Sequence, residues 1–125
     1  MKAAYLYGKE DIRLESLQLP EMEDHGLLIR TLTCGICGSD SRLFFNGPSA
    51  RYMHPVILGH EICGEVSEVG PDITDYQPGD LVSIAPIIPC MHCHACSRGK
   101  DNICETAKVI GVNVHGAMSE YMYIP

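Results

Sequence analysis

Gly59-His60-Glu61-Ile62-Cys63-Gly64 opens the most regular stretch of the chain, which continues to Val69. From Glu61 onward, Ile62, Gly64 and Val66 fall on one face of an extended chain. Successive side chains of a β-strand point to opposite faces, so this alternation predicts a strand over Glu61–Val69. The stretch therefore favours a β fold.

Short apolar runs on both sides of this stretch predict further strands. They are Lys2–Tyr7, Ile12–Leu19, Leu27–Thr33, Leu81–Ala85 and Met118–Ile124. Residues 38–55 are predicted to be loop-like, apart from one short helical turn that Ser39 or Asp40 caps and Gly47-Pro48 closes. No window of twelve or more residues has a 3.6-residue apolar period, so we predict one mostly β, strongly bent domain.

Composition excludes several classes of protein. The chain has 125 residues, of which 46% are hydrophobic, and this is enough for one core without disulfides. A net charge of -7 argues against nucleic-acid binding, which depends on clustered Lys and Arg. Apolar runs such as Val56-Ile57-Leu58 are too short to span a membrane, and no signal-type segment follows Met1. We therefore expect a cytoplasmic protein, in which seven cysteines suggest metal binding or catalysis before disulfides.

Four of the cysteines form a compact lobe at about residues 89–105. Cys90, Cys93, Cys96 and Cys104 have the spacing Cys-x2-Cys-x2-Cys-x7-Cys. Four thiolates within fifteen residues can close a tetrahedral shell around Zn²⁺, which makes this a predicted structural zinc site with no open position. Iron is chemically compatible with the same ligands, and the alternatives without a metal are ordinary reduced thiols or two disulfides. His92 and His94 are not needed as ligands because four sulfurs already fill the shell.

A second group of residues combines a thiol, an imidazole and a carboxylate. Cys37, within Gly35-Ile36-Cys37-Gly38-Ser39-Asp40, precedes His60 and Glu61 by about twenty residues. Three such ligands suit an open zinc site, in which a fourth position is free for water or substrate. Cys34 also forms a Cys-x2-Cys pair with Cys37, but no βαβ pattern surrounds it, which disfavours a redox motif. Cys63 is interpreted as a small, buried hydrophobic residue.

The three motifs together, in this order, resemble the zinc-containing alcohol dehydrogenases of the medium-chain dehydrogenase/reductase superfamily. The resemblance extends from Lys2-Ala3-Ala4 to Ser119-Glu120-Tyr121. It implies a GroES-like, bent β-barrel catalytic domain over residues 1–125, with a Rossmann domain expected beyond Pro125. The chain has no Gly-x-Gly-x-x-Gly, so no dinucleotide fold is predicted within it. The resemblance thus implies the amino-terminal piece of a larger enzyme, either a natural fragment or a truncated one.

The resemblance also implies roles for individual residues. Cys37 and His60 would ligate a catalytic zinc, and Glu61 would be a further ligand or a neighbour that exchanges with water. A last ligand, Cys or Glu, is expected beyond Pro125; the Cys2His set is a known property of alcohol dehydrogenases rather than an inference from these residues. Asp40 would accept a hydrogen bond from the His60 ring, and Ser39 would take the substrate hydroxyl proton. Cys90, Cys93, Cys96 and Cys104 match the family's structural zinc lobe.

The implied activity is oxidation of a primary or secondary alcohol with hydride transfer to NAD or NADP. Zinc supplies Lewis acidity that lowers the pKa of a bound alcohol, and the cofactor-binding residues would lie beyond Pro125. Gly35–Asp40 is closer to the polyol and threonine dehydrogenase branches, although Leu43 replaces a tyrosine typical of the sorbitol branch. Arg42 stands where several members have a histidine, and a permanently charged guanidinium cannot be a general base. The proton route beyond Ser39 is therefore open.

Two functions from different classes remain at this point. The first is the catalytic portion of a zinc dehydrogenase, with a small alcohol or polyol as substrate and a homo-oligomer expected at full length. The second is a non-enzymatic, zinc-stabilised β module that binds a partner. The Gly-His-Glu stretch and Cys37 favour the enzyme, because a module held by the cysteine lobe needs no open site. The isolated 125 residues are predicted to be inactive, with partial or absent metal at the Cys37 site.

Overall fold

The computed structural model describes residues 1–50 and 52–125. Its β-strands are β1 Lys2–Gly8, β2 Asp11–Ser16, β3 Leu27–Gly35, β4 Val56–Ile57, β5 Glu61–Val69, β6 Leu81–Ile84, β7 Ile87–Ile88, β8 Lys108–Val109 and β9 Tyr121–Ile124. One α-helix, α1 Gly38–Asn46, and two short 3₁₀ helices, Cys96–Arg98 and Asp101–Ile103, complete the elements of these residues. The prediction of a mostly β domain is confirmed.

The strands form three small antiparallel sheets. Their orders are β2-β1-β4, β6-β5-β3-β9 and β7-β8. The longest pairing joins β3 to β5, from Leu27 opposite Val69 to Gly35 opposite Glu61. In β5, Ile62, Gly64 and Val66 are buried while the residues between them are more exposed, so the alternation predicted for this strand is confirmed.

Two apolar clusters cover the sheets. One packs on the four-stranded sheet and contains Ile29, Ile62, Val66, Ile110, Ala117 and Met122. The other joins β1 and β4 to the helix and contains Leu6, Leu43, Val56 and Leu58. Leu43 is the residue by which α1 is anchored, since it is 7% exposed within the second cluster. The helix is thereby fixed beside the end of β3, where Cys37 lies.

The one short helical turn predicted within residues 38–55 is present as a longer helix, α1, which Gly47 closes as expected. Gly38–Asn46 is a nine-residue helix, and Cys37 is the residue at its N-terminal cap, not Ser39 or Asp40. Asp40 instead lies in the first turn, where its carboxylate accepts the Cys37 N–H at 2.8 Å. Its length was underestimated because only Asp40 and Leu43 of its residues are buried, which leaves almost no apolar period to detect.

The predicted ends of two strands also need correction. The second strand ends at Ser16 rather than Leu19, and the last begins at Tyr121 rather than Met118. In both places the backbone still bonds to a neighbour, Leu17 N–H to the Met1 carbonyl and Met118 N–H to the Leu58 carbonyl. These residues therefore stay bonded to neighbouring segments without extending the regular hydrogen-bond pattern of the strands. Among the described residues, no helix is long and apolar enough to cross a membrane.

Candidate metal sites

The pairing of β3 with β5 brings the two halves of the mixed thiol–imidazole–carboxylate group together. Gly35, the last residue of β3, lies opposite Glu61, the first residue of β5. Cys37 follows β3 by two residues and His60 immediately precedes β5, so both lie at the same end of the sheet. Residues more than twenty positions apart in the sequence thus become neighbours through the strand register.

Cys37, His60 and Glu61 each direct one donor atom into a common space. These three atoms lie within 4.8 Å of one another. Glu61 reaches this position because Gly35 has no side chain: a Cβ at Gly35 would lie within 2.4 Å of the Glu61 Oε2 atom. Thiolate, imidazole and carboxylate donors in this number match an open zinc site, so the residues present fit that ion.

Asp40 and Ser39 flank the imidazole of His60 on its two sides. The Ser39 Oγ atom lies 3.3 Å from Nε2, and the Asp40 Oδ1 atom lies 3.5 Å from Nδ1. The Asp40 side chain is 4% exposed, and Oδ1 is a buried oxygen without a hydrogen-bond partner. The predicted hydrogen bond from His60 to Asp40 is thus a 3.5 Å contact, longer than the usual range for such bonds.

The unpartnered Asp40 oxygen supports the same assignment of the site. A buried carboxylate oxygen is costly when no donor reaches it, and Nδ1 of His60 is the donor that faces it. With a proton on Nδ1, the lone pair of the ring is on Nε2, the nitrogen beside Ser39. A carboxylate behind a histidine in this way is the usual arrangement that fixes the tautomer of a metal-binding ring.

Replacing Asp40 with asparagine is expected to weaken metal binding at Cys37, His60 and Glu61 by about 10–100-fold. The amide oxygen can still accept the Cys37 N–H, so α1 keeps its first turn, but the amide NH₂ then faces Nδ1 and disfavours its protonated tautomer. Titration with Co²⁺, followed by its visible spectrum, measures the affinity. The exposed Asp75→Asn variant is the control, and equal affinities in the two variants would contradict this role of Asp40.

The four cysteines of the lobe converge as their spacing predicts. Sulfur–sulfur distances are 3.5 Å for Cys93–Cys96, 3.9 Å for Cys93–Cys104 and 4.0 Å for Cys90–Cys96. A tetrahedron with metal–sulfur bonds of about 2.3 Å has sulfur–sulfur edges of about 3.8 Å. The group is therefore shaped for one tetrahedral ion, and each of its thiols is free rather than in a disulfide.

Backbone amides favour thiolates within this lobe. The N–H groups of His92 and Cys93, with the Thr106 hydroxyl, lower the pKa of the Cys90 thiol to about 5. Removal from water, the largest cause, and hydrogen bonds with neighbouring thiols raise the pKa of Cys96 to about 12. Opposite shifts within one cluster are expected when several sulfurs compete for negative charge in contact with one another. A divalent cation at the centre would remove that competition.

The other residues singled out from the sequence lie outside both groups of donors. Arg42 is exposed on α1, and His92 and His94 are exposed on the lobe, as expected for residues that are not ligands. Burial, followed by the negative charge of Asp40, raises the pKa of the Cys34 thiol. A thiol that stays protonated is a poor nucleophile, which further disfavours a Cys34–Cys37 redox pair. Cys63 is half-buried in β5.

A cleft of the described residues lies away from both sites. It has a volume of about 460 Å³ and lies beside β9, with Tyr5, Ile110, His115 and Tyr123 among its lining residues. None of the predicted ligands lines it. The donor geometry is a better guide to the chemistry here than cavity size, because metal binding requires convergent ligand atoms rather than volume.

Gly35 is a residue of the site whose role sequence reasoning missed. The absence of a side chain at Gly35 leaves room for the Glu61 carboxylate on the neighbouring strand, as described above. The signal in the sequence was the Gly-Ile-Cys-Gly stretch itself, but a spacing pattern cannot indicate which residue will lie opposite a glycine.

Comparison with known proteins identifies the family. Residues 23–125 match the family described as "Alcohol dehydrogenase GroES-like domain". The chain belongs to this family. The match covers most of the chain, including both groups of metal-binding candidates, and the expected GroES-like fold is confirmed.

Relatives of this GroES-like domain include several named dehydrogenases. It is 35% identical to the sorbitol dehydrogenase of Bacillus subtilis (strain 168) over 98% of the chain and 35% of that protein. It is also 35% identical to the L-threonine 3-dehydrogenase of Pyrococcus abyssi, over 100% of the chain and 36% of that protein. The chain therefore spans about a third of the length of these relatives.

Solved structures show the same relationship for the GroES-like domain. A proposed zinc-binding dehydrogenase from Sinorhizobium meliloti 1021, crystallised with NADP, superposes with a TM-score of 0.90 at 35% identity. The match covers 99% of this chain and 36% of that one. The arrangement of strands described above is thus shared with about a third of that solved chain.

Proposed function

We propose that residues 1–125 are the amino-terminal catalytic-domain portion of a zinc-dependent alcohol or polyol dehydrogenase that transfers hydride to NAD or NADP. The observation that carries this proposal is the convergence of donor atoms from Cys37, His60 and Glu61 within 4.8 Å of one another. This group is separate from the four-cysteine lobe. A closed four-sulfur shell stabilises a fold, whereas a three-donor set leaves a position for a reacting molecule.

The proposed roles follow from the contacts of each side chain. Cys37 and His60 would hold the ion, with Glu61 as a ligand or an exchanging neighbour, and zinc would supply Lewis acidity toward a bound alcohol oxygen. The Ser39 hydroxyl, 3.3 Å from Nε2 of His60, is near enough to this space to take the substrate hydroxyl proton. Asp40 would orient the His60 ring.

Arg42 bears on where the proton goes next. Its guanidinium stays protonated and is exposed on α1, so it does not relay the proton from Ser39. For a proton released at the Ser39 hydroxyl, we propose water or a group outside residues 1–125 as the next acceptor. The cofactor-binding residues are likewise proposed to lie outside this chain, which has no Gly-x-Gly-x-x-Gly.

The names of the relatives support the substrate class. Sorbitol and L-threonine, the substrates in the names of two relatives, both carry a secondary hydroxyl group. We therefore propose a small molecule with a secondary or primary hydroxyl, with polyols and amino-acid alcohols as the first candidates. The NADP in the Sinorhizobium meliloti structure supports a nicotinamide as the hydride acceptor.

The test compares the full-length protein with residues 1–125 alone. Both are assayed for reduction of NAD and NADP with sorbitol, L-threonine and a simple secondary alcohol, by the ultraviolet absorbance of the reduced cofactor. We expect turnover of at least one substrate by the full-length protein and none by residues 1–125, because no nicotinamide site is predicted in them. Absence of turnover in both would favour the zinc-stabilised binding module. Turnover by residues 1–125 alone would contradict the proposal that the nicotinamide-binding residues lie outside them.

A further inference from the structure

The turn that carries His60 is held from behind by a short segment of the chain. Three successive carbonyls, those of Ile57, Leu58 and Gly59, accept hydrogen bonds from residues 116–118, here called the brace. The distances are 2.7 Å from Gly116 N–H to Ile57, 2.9 Å from Met118 N–H to Leu58 and 3.1 Å from Ala117 N–H to Gly59. His60 follows Gly59 in the chain, so the segment that the brace holds leads directly into the backbone of His60.

The contact between brace and turn leaves no room for a side chain. A Cβ at Gly116 would lie 2.3 Å from the Gly59 carbonyl oxygen and 2.4 Å from that of Leu58. These are backbone atoms in a hydrogen-bonded segment, which cannot move aside as the tip of a flexible side chain can. Gly111 approaches the same peptide more loosely, with 3.2 Å from its Cβ position to the Gly59 oxygen.

Gly59 itself depends on an unusual backbone conformation. Its φ is +95°, a region that favours glycine, and a Cβ there would meet the Cys34 sulfur at 2.4 Å. The same Cβ would also meet Met118 of the brace at 3.0 Å, so Gly59 lies close to both the Cys34 side chain and the brace. A shift of the brace would displace the Gly59 carbonyl, and His60 is the next residue in the chain.

The side-chain contacts of His60 are too long to hold the ring by themselves. Its nitrogens lie 3.3 Å from Ser39 and 3.5 Å from Asp40, at or beyond the outer limit for hydrogen bonds. The backbone hydrogen bonds of the brace, at 2.7–3.1 Å, are shorter. The brace therefore contributes to where the His60 backbone places the imidazole, while Asp40 and Ser39 act on the orientation of the ring.

We infer that Gly116 is a positioning residue, which through the Ile57–Gly59 backbone sets where the His60 imidazole meets Cys37 and Glu61. The inference rests on the proposed function in taking His60 as a metal ligand. Replacing Gly116 with alanine should displace the turn, weaken Co²⁺ binding at this site by about 10–100-fold, and leave the four-sulfur lobe unchanged.

The test uses two matched pairs of variants in the 125-residue chain. Gly116→Ala is compared with Gly8→Ala, where a Cβ meets nothing within 4 Å. Gly111→Ala, a milder intrusion at φ +74°, is compared with Gly79→Ala, which has φ +97° and open space. The second pair separates contact with Gly59 from the strain of a positive φ, and it remains informative where Gly116→Ala does not fold.

Two readouts keep the inference distinct from the proposed function. The ¹⁵N chemical shifts of the His60 ring, measured without metal, should change in Gly116→Ala and to a smaller extent in Gly111→Ala, but not in the controls. Co²⁺ spectra should lose or shift the Cys37-dependent component while the component from the lobe persists. Unchanged ring shifts in folded Gly116→Ala, or equal changes in Gly111→Ala and Gly79→Ala, would overturn the inference. Absence of a Cys37-dependent component in the full-length protein, where the last ligand is expected to be present, would instead count against the proposed function.

Discussion

Replacing Cys37 with serine in the full-length protein is expected to lower dehydrogenase turnover by about a thousandfold or more. Cys37 is the thiol among the three convergent donors, and a serine hydroxyl is a far poorer ligand for zinc than a thiolate. Lewis-acid catalysis by a metal is worth several kcal/mol of transition-state stabilisation, and each 1.36 kcal/mol corresponds to a tenfold change in rate. The measurement is steady-state oxidation of the best alcohol substrate.

Cys63→Ser is the matched control for this experiment. Cys63 is half-buried in β5 and is not among the convergent donors, so the same chemical change there should leave most of the activity. Loss in Cys37→Ser with retention in Cys63→Ser is the expected pair of results. Comparable activity in both variants would show that Cys37 takes no part in holding a catalytic ion.

Removing the metal from the cysteine lobe is expected to destabilise the 125-residue chain strongly. Ala95 is the one buried residue of 89–105, all of which the structure describes, while Met91 and Ile103 are exposed. The lobe thus has little apolar packing of its own, and structural zinc sites of this type bind with apparent free energies of about 10–16 kcal/mol. Even a loss of a few kcal/mol would lower the melting temperature by on the order of 10 °C.

The measurement is thermal unfolding followed by circular dichroism, with and without a strong chelator. Cys93→Ser, which removes the sulfur lying 3.5 Å from Cys96 and 3.9 Å from Cys104, should melt low in both conditions. Cys63→Ser should respond to the chelator as the unsubstituted chain does. A melting temperature that the chelator leaves unchanged would contradict a structural metal in the lobe.

Local patterns carried most of what the sequence could reveal. The four lobe cysteines lie within fifteen residues, so their spacing alone limits how they can meet, and the structure brings their sulfurs to tetrahedral distances. The alternation in Glu61–Val69 similarly indicates a strand, because successive side chains of a strand point to opposite faces of the sheet.

Contacts between distant segments were harder to foresee. Gly35 opposite Glu61, and Gly116 against Leu58 and Gly59, depend on which strands or turns become neighbours, and spacing within one segment does not contain that information. The helix α1 was predicted only as one short turn for a different reason: its cap residue is a cysteine, and one of its two buried residues is the polar Asp40. Residues that serve a site often break the local pattern in this way.

The central claim is that this domain holds two metal sites of different kinds, one closed and one open. Zinc content per chain, measured by native mass spectrometry on the full-length protein, tests it most directly. We expect two zinc ions in the unsubstituted protein, the lobe ion alone in Cys37→Ser, and loss of the lobe ion in Cys93→Ser. A single zinc ion in the unsubstituted protein that persists in Cys37→Ser and is lost in Cys93→Ser would contradict the account.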